Sequence, residues 1–97
     1  MTQIVSQEVE RYRPFDRVWA LYSDGSVTYF DRYAGRVDEI RNARGERVWV
    51  AVDKHGKRCD RRHHLSQDAA VQAVVAVRRA RVTELVVRRE LRGGYLT

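Results

Sequence analysis

A dense basic segment, residues 54–64, holds residue types suited to binding an acidic partner. It reads Lys54-His55-Gly56-Lys57-Arg58-Cys59-Asp60-Arg61-Arg62-His63-His64. The segment carries five formal positive charges, one negative charge and three imidazoles. Lysine and arginine neutralise phosphates, and a turn with glycine at its tip lets the backbone approach one. The segment therefore predicts a polyanion-binding site, with a solvated basic strand as the alternative interpretation.

A second basic group consists of Arg78, Arg79 and Arg81. Arg78 falls within a stripe of valines, so its side chain extends to solvent, pairs with a carboxylate such as Asp38 or Glu39, or faces a partner. Together with the basic segment, this group completes the candidate set for binding nucleic acid or a protein partner. The set is Lys54, Lys57, Arg58, Arg61, Arg62, His64, Arg78, Arg79 and Arg81.

The histidines and the cysteine raise two other possibilities, metal binding and catalysis. His55, Cys59 and His63 follow one another at intervals of four. In a turn and a strand, four residues span roughly 13 Å, which is too far for shared zinc ligands at about 2.0–2.3 Å from the ion. His63, His64, Asn42 and Cys59 make no set of nucleophile, base and orienting group. We therefore expect no enzyme activity, no metal and no cofactor.

The net charge of +6 is distributed unevenly along the chain. Residues 1–53 hold 8 Arg or Lys against 9 Asp or Glu, which is −1, whereas residues 54–97 hold 11 against 4, which is +7. This asymmetry favours an acidic partner, most often nucleic acid. Arginine makes up 17 of the 19 basic residues, a ratio that either phosphate recognition or a GC-rich genome explains. Genome composition does not explain the asymmetry between the two halves.

The elements that must position these residues begin with a β-rich region. Residues 4–12 predict an edge strand that ends at Pro14. Residues 18–22 and 27–30 are β-branched and aromatic, and they flank Ser23-Asp24-Gly25-Ser26. Asp-Gly between two such runs predicts a hairpin, because both central positions of the turn need positive φ.

The second part of the β-rich region is less regular. Ala34-Gly35 predicts a break, and residues 36–42 fit either one helical turn or a strand. Residues 48–52 are apolar on both faces and predict a central strand. A turn at Gly56 then leads into a predicted strand over residues 58–64.

The aromatic residues have two interpretations, as stacking platforms for bases or as the core between sheet and helix. We expect Trp19 and Trp49 to lie in the core, and Tyr29 or Tyr33 to be exposed.

A long helix follows from Ser66 onward. Ser66 is a good N-cap, Asp68 suits the first turn, and Gly93-Gly94 ends the pattern. At about 100° per residue, six apolar side chains share one face. They are Val71, Val74, Val75, Val82, Leu85 and Val86. The alternative is a helix that ends near Arg81 and a strand over residues 82–87, since that stretch is rich in β-branched residues.

Length and composition place these elements in one small domain. The 97 residues predict a single domain over 1–97, with strands over about 4–64, a helix over about 66–91 and a short tail. The fold class is α+β, with an antiparallel sheet of four to six strands packed against the C-terminal helix. No apolar run reaches the roughly 18 residues of a membrane span, and the single cysteine fits a reducing compartment. We expect a cytoplasmic protein, with a homodimer through the apolar helix as one further expectation.

Part of the chain resembles known DNA-binding domains. Residues 47–58 form a predicted strand that ends in Gly56-Lys57-Arg58, and residues 64–70 lead into an alanine-rich helix. In this order they resemble integrase-type and ethylene-responsive-factor-type domains. The resemblance implies a three-stranded sheet with a helix, whose sheet side chains read DNA. Residues 22–65 are similar to the segment before the catalytic centre of HNH homing endonucleases, but the downstream Asn and His of that centre are missing here.

Two functions remain open from the sequence. The first is a non-enzymatic nucleic-acid-binding module, with DNA favoured over RNA, whose cations neutralise phosphates. The second is a small protein of the kind that phages and mobile elements encode, which binds and inhibits a host complex. Its basic face would cover an acidic or nucleic-acid-binding surface of that complex. Neither function involves a membrane.

Overall fold

Five antiparallel strands, in the part of the chain that the structure describes, pair in the order in which they occur in the sequence. The structure is a computed structural model that describes residues 2–11 and 17–93, with the backbone alone at positions 84 and 86–93. The elements are β1 (Ile4–Val9), β2 (Arg17–Tyr22), β3 (Ser26–Tyr29), β4 (Arg32–Arg41), β5 (Arg47–Asp53) and α1 (Gln67–Gly93). The predicted α+β fold, a sheet of four to six strands with one C-terminal helix, is confirmed.

Strand β1 forms one edge of the sheet and pairs with β2. The indole Nε1 of Trp19 on β2 donates a hydrogen bond of 2.8 Å to the Glu8 carboxylate on β1. This bond connects the edge strand to the core, because Trp19 is buried there. The strand ends at Val9, earlier than the predicted residue 12, and Pro14 itself lies outside the described residues.

The predicted hairpin at Asp24-Gly25 joins β2 to β3. Gly25 has a φ of +89°, and a Cβ there would lie 2.6 Å from the carbonyl oxygen of Val37. The Asp24 carboxylate accepts the amide of Ser26 at 2.9 Å, which closes the turn locally. Glycine is required at this position both for its backbone conformation and for the close approach of β4.

The predicted break at Ala34-Gly35 is wrong, because both residues lie within β4. A Cβ at Gly35 would collide with the carbonyl oxygen of Val52 and would lie 3.0 Å from the side chain of Val74. Glycine at this position therefore permits close packing of β4 against β5 and the helix, rather than a turn. The chain turns earlier, between β3 and β4, where Phe30 and Asp31 have positive φ.

The remaining β-rich stretch resolves into β4, β5 and an irregular segment. Residues 36–41 continue β4, so the strand interpretation of that region is correct. Strand β5 ends the five-stranded order rather than lying at its centre. The predicted strand over residues 58–64 is wrong, since the segment pairs with β5 only at isolated bridges, Val52 with Arg58 and Trp49 with His64.

Helix α1 covers one face of the sheet and begins where the sequence predicts. The Ser66 hydroxyl accepts the amide of Ala69 at 3.1 Å, as an N-cap does. The core joins helix and sheet through Trp19, Leu21, Val27, Ala34, Val37, Ala51, Ala70, Val71, Val74 and Val75. Trp49 is partly buried and packs against this core, so both tryptophans contribute to it.

The helix continues past the sheet. At about 1.5 Å per residue, its 27 residues span about 40 Å. Its apolar stripe is covered at Val71, Val74 and Val75, but Val82 is 37% exposed and Leu85 62% exposed. The alternative of a strand over residues 82–87 is wrong, and Gly94 of the predicted helix end lies outside the described residues. No helix in the described ranges is both long and apolar enough to cross a membrane.

Candidate nucleic-acid interface

Asp53, the last residue of β5, organises the basic turn that follows it. Its Oδ1 accepts the amide of His55 at 2.8 Å and the amide of Lys57 at 3.0 Å. Its own amide donates to the carbonyl of Lys57 at 2.7 Å. Lys54 and Lys57 are exposed, and Gly56 sits near the tip with a φ of +82° and open space around it. The carboxylate therefore fixes a turn that presents lysines and an accessible backbone to solvent.

The same carboxylate is ionised and also holds one of the candidate arginines. The amide of Lys57 is the largest influence that lowers the pKa of Asp53, burial opposes it, and the amide of His55 and the charge of Arg81 lower it further. Arg81 Nη2 lies 3.5 Å from Asp53 Oδ2. Part of the charge of Arg81 is therefore balanced within the domain.

The segment after the turn takes an irregular path because Asp60 bonds its own neighbours. The Asp60 carboxylate accepts the amide of Arg62 at 3.2 Å and contacts Nε2 of His64 at 3.0 Å. Such local bonds compete with a regular ladder, which explains the missing strand. His64 is mostly covered, with a side-chain exposure of 13%, and it faces Asp60.

The arginine side chains of this segment are exposed to solvent. Arg58, Arg61 and Arg62 are exposed, and the guanidinium of Arg58 donates to the carbonyl of Arg62 at 3.0 Å. That bond orients Arg58 without neutralising it, because a carbonyl oxygen carries no formal charge. Lys57, Arg58, Arg61 and Arg62 are thus four exposed cations within six residues, with Asp60, which bonds to Arg62 and His64, between them.

A small cleft brings the helix arginines next to the turn. It is lined by Ala34, Asp53, Lys54, Val77, Arg78 and Arg81. Arg78 is half-buried, and its Nε is buried without a hydrogen-bond partner among the described residues. The sequence predicted Asp38 or Glu39 as a possible ion-pair partner of Arg78. In the structure these carboxylates pair with other arginines, Asp38 with Arg36 and Glu39 with Arg47.

Arg79 points to another part of the sheet. Its guanidinium carbon lies 6.0 Å from the centre of the Tyr29 ring, which is the distance of a cation–π contact. Tyr29 is partly buried, whereas Tyr33 is 49% exposed.

Seven of the nine candidate residues have no carboxylate partner in the described residues, and six of these lie on the turn after β5, on the segment that follows it or in the cleft beside it. We call this group the basic surface; it consists of Lys54, Lys57, Arg58, Arg61, Arg62 and Arg78. By contrast, the sheet arginines Arg17, Arg36 and Arg47 each pair with an Asp or Glu. Most of the candidate cations after β5 therefore have no carboxylate partner in the described residues, whereas several arginines of the sheet do.

The cysteine of this region, Cys59, is partly buried beside two carboxylates. Burial is the main reason that the pKa of the Cys59 thiol is raised to about 11, and the charges of Asp53 and Asp60 add to the effect. A thiol with this pKa is protonated at neutral pH and reacts slowly. Within the described part of the chain, no group of three or more His, Cys, Asp or Glu is arranged to hold a metal ion.

The sequence analysis did not predict two features of the site. One is Asp53 as the organiser of the turn, although an Asp three residues before a Gly is a recognisable turn signal. The other is Phe30, which is 46% exposed at the β3–β4 turn. No turn residue marks Phe30 in the sequence, so only its backbone conformation reveals it.

Comparison of the chain with protein-family models, curated proteins and solved structures finds no match. The similarity to integrase-type domains therefore rests on residues 47–70 alone. The functional inference depends on the geometry of the basic surface.

Proposed function

We propose that this chain is a non-enzymatic nucleic-acid-binding module whose basic surface neutralises backbone phosphates. The observation that carries the proposal is that six cations on and beside the turn after β5 are exposed or half-buried and have no carboxylate partner in the described residues. Lys54 and Lys57 stand on a turn with an accessible backbone, and Arg58 is oriented by Arg62. Uncompensated cations on a rigid turn suit phosphate binding, which needs charge and donors more than a deep pocket.

The mechanism is exchange of protein cations for the counterions condensed on the nucleic acid. Each phosphate that is neutralised contributes about 0.9 to the slope of log affinity against log salt for duplex DNA, and about 0.7 for a single strand. If four to six cations of the basic surface engage phosphates, the slope is about −3 to −5. Binding should therefore be strong at low salt and weaken steeply as salt is added.

The test is a salt titration of affinity for duplex and single-stranded oligonucleotides, read by fluorescence anisotropy. The variant Arg58→Ala/Arg62→Ala should make the slope shallower by about 1.4 to 1.8. Its matched control is Arg44→Ala/Arg47→Ala at the β4–β5 turn, which removes the same two charges and should leave the slope nearly unchanged. Affinity that is absent, or insensitive to salt, for both kinds of oligonucleotide would reject the proposal.

A second candidate function is binding to a protein complex, which the exposed apolar part of α1 favours. Val82 and Leu85 continue the buried valine stripe beyond the sheet and remain exposed. The test is capture of a single complex from nuclease-treated host lysate by the wild-type chain and by Val82→Ser/Leu85→Ser. Capture that survives nuclease and is lost in this variant supports the second candidate, while capture that disappears with nuclease supports the first.

A further inference from the structure

The β3–β4 turn places an aromatic residue where the backbone conformation disfavours it. Phe30 has a φ of +48° and Asp31 a φ of +63°. A two-residue turn with both central residues at positive φ is normally built from Asn-Gly or similar residues, because a Cβ is crowded there. A bulky side chain in this region is an outlier, and such outliers cluster at functional sites.

The ring of Phe30 is presented to solvent and held in place. It is 46% exposed and contacts Tyr29 in a T-shaped arrangement, with ring centroids 4.7 Å apart and planes at 78°. A T-shaped contact uses only one face or one edge of each ring, so part of the Phe30 ring stays free. Arg79 lies over the neighbouring Tyr29 ring, which places a cation beside the aromatic pair.

This aromatic pair lies at the same end of the sheet as the turn that carries Lys54 and Lys57. Tyr29 pairs with Arg32 at the start of β4, and Gly35 further along β4 pairs with Asp53 at the end of β5. Two strand spacings, roughly 10 Å, separate β3 from β5, and the three residues from Arg32 to Gly35 add roughly 10 Å along β4, so Tyr29 and Asp53 lie roughly 14 Å apart. On α1, Arg79 contacts Tyr29 while Arg78 lines the cleft beside Lys54.

We propose that the ligand of this domain is single-stranded nucleic acid, with one unpaired base stacked on Phe30 while the basic surface holds the adjacent phosphates. This inference rests on the proposed function and names its substrate class. In a duplex, both faces of every base are covered by its neighbours, so only an unpaired base can stack on a protein ring. A cation beside the ring adds a cation–π contribution to base stacking at sites of this kind.

The test compares three probes of equal length by fluorescence anisotropy. They are an oligothymidylate, a fully abasic strand with the same phosphates, and a duplex. The key variant is Phe30→Asn, because asparagine accepts positive φ and removes the ring. Its control is Leu65→Asn, which replaces an apolar residue that is 84% exposed at the opposite end of the sheet, before α1.

We expect Phe30→Asn to lower the affinity for oligothymidylate between about fivefold and 150-fold, the range for loss of one stacked base. Affinity for the abasic strand and for the duplex should stay within twofold of wild type (roughly the error of such a comparison). The midpoint of thermal unfolding should stay the same or rise, because the substitution relieves the backbone. Leu65→Asn should leave all three affinities unchanged.

Two results would overturn the proposal. One is oligothymidylate affinity that Phe30→Asn leaves unchanged, and the other is an equal loss on the abasic strand. If all probes still bind with a steep salt slope in either case, the phosphate-binding function stands and only the stacking inference fails. If no probe binds in a salt-dependent way, the proposed function itself fails.

Discussion

Replacement of Asp53 by alanine should loosen the turn that presents Lys54 and Lys57. The change removes two amide hydrogen bonds, 2.8 and 3.0 Å long, and the ion pair with Arg81. A hydrogen bond to a charged group contributes about 1.5–3 kcal/mol, but freed amides at an exposed turn bond to water, so we expect a total loss of about 2–4 kcal/mol. At about 4–8 °C per kcal/mol for a domain of this size, the midpoint of thermal unfolding should fall by roughly 8–32 °C.

The variant Asp53→Asn distinguishes the contribution of the turn hydrogen bonds from that of the negative charge. The asparagine side-chain oxygen still accepts the amides of His55 and Lys57, while the negative charge that faces Arg81 is lost. Arg81 is 46% exposed and 3.5 Å from the carboxylate, so this pair contributes about 0.5–1 kcal/mol. We therefore expect a loss of about 1 kcal/mol in urea unfolding followed by tryptophan fluorescence, well below the loss in the alanine variant.

The asparagine variant should also bind oligonucleotides more tightly than wild type. It releases Arg81 beside the basic surface and removes one negative charge from the chain. If Arg81 then engages one more phosphate, the salt slope becomes steeper by about 0.7–0.9. Stability and affinity would thus change in opposite directions in a single variant.

The stability contributed by Asp53 should depend on pH. Its folded-state pKa lies below the ordinary value of 3.8, mainly because the amide of Lys57 donates to the carboxylate. The stabilisation is therefore complete above pH 3.8 and is lost as the pH falls through the folded-state pKa. The difference in unfolding free energy between wild type and Asp53→Asn should shrink as the pH is lowered below about 4. Equal losses in the asparagine and alanine variants, or a difference that is constant from about pH 7 to about pH 2.5, would refute this account of the turn.

Three further predictions concern packing, thiol chemistry and capping. Gly35→Ala should cost about 2 kcal/mol or more in urea unfolding, because its Cβ meets the carbonyl of Val52; a loss below 0.5 kcal/mol (about the size of a neutral surface change) would contradict the close approach. At pH 8, native Cys59 should react with iodoacetamide about 100-fold more slowly than in the urea-unfolded chain, since its pKa is about 11 rather than 9.0; equal rates would contradict its burial. Ser66→Ala should cost about 1 kcal/mol and Ser66→Asp much less, because aspartate retains the cap on Ala69; equal losses would argue against capping.

Local patterns predicted the elements that depend on neighbouring residues. The turn at Asp24-Gly25 and the start of α1 at Ser66 follow from backbone conformation and capping within a few residues. The strand β5 follows from a run of β-branched and aromatic side chains. Each of these signals lies within a short stretch of sequence, so the prediction does not depend on residues that are distant in the chain.

Long-range packing explains the errors. Gly35 resembles a turn residue in the sequence, but Val52 and Val74, distant in the chain, require the missing Cβ. Phe30 carries no turn signal and Asp31 by itself only a weak one, yet β3 pairs with β4 and the chain reverses there. Residues 58–64 have a strand-like composition, but Asp60 draws the backbone into local bonds.

For the candidate site, the sequence by itself determined how many cations there are and that they concentrate after Asp53. It could not determine which of them are compensated, because an ion pair requires two groups within a few ångströms whatever their separation along the chain. Folding brings Arg81 to Asp53 and Arg47 to Glu39, and it leaves Arg58 and Lys57 without a carboxylate in the described residues. The tertiary structure also decided that Arg78 and Lys54 share one cleft, because α1 passes the end of β5 at that point.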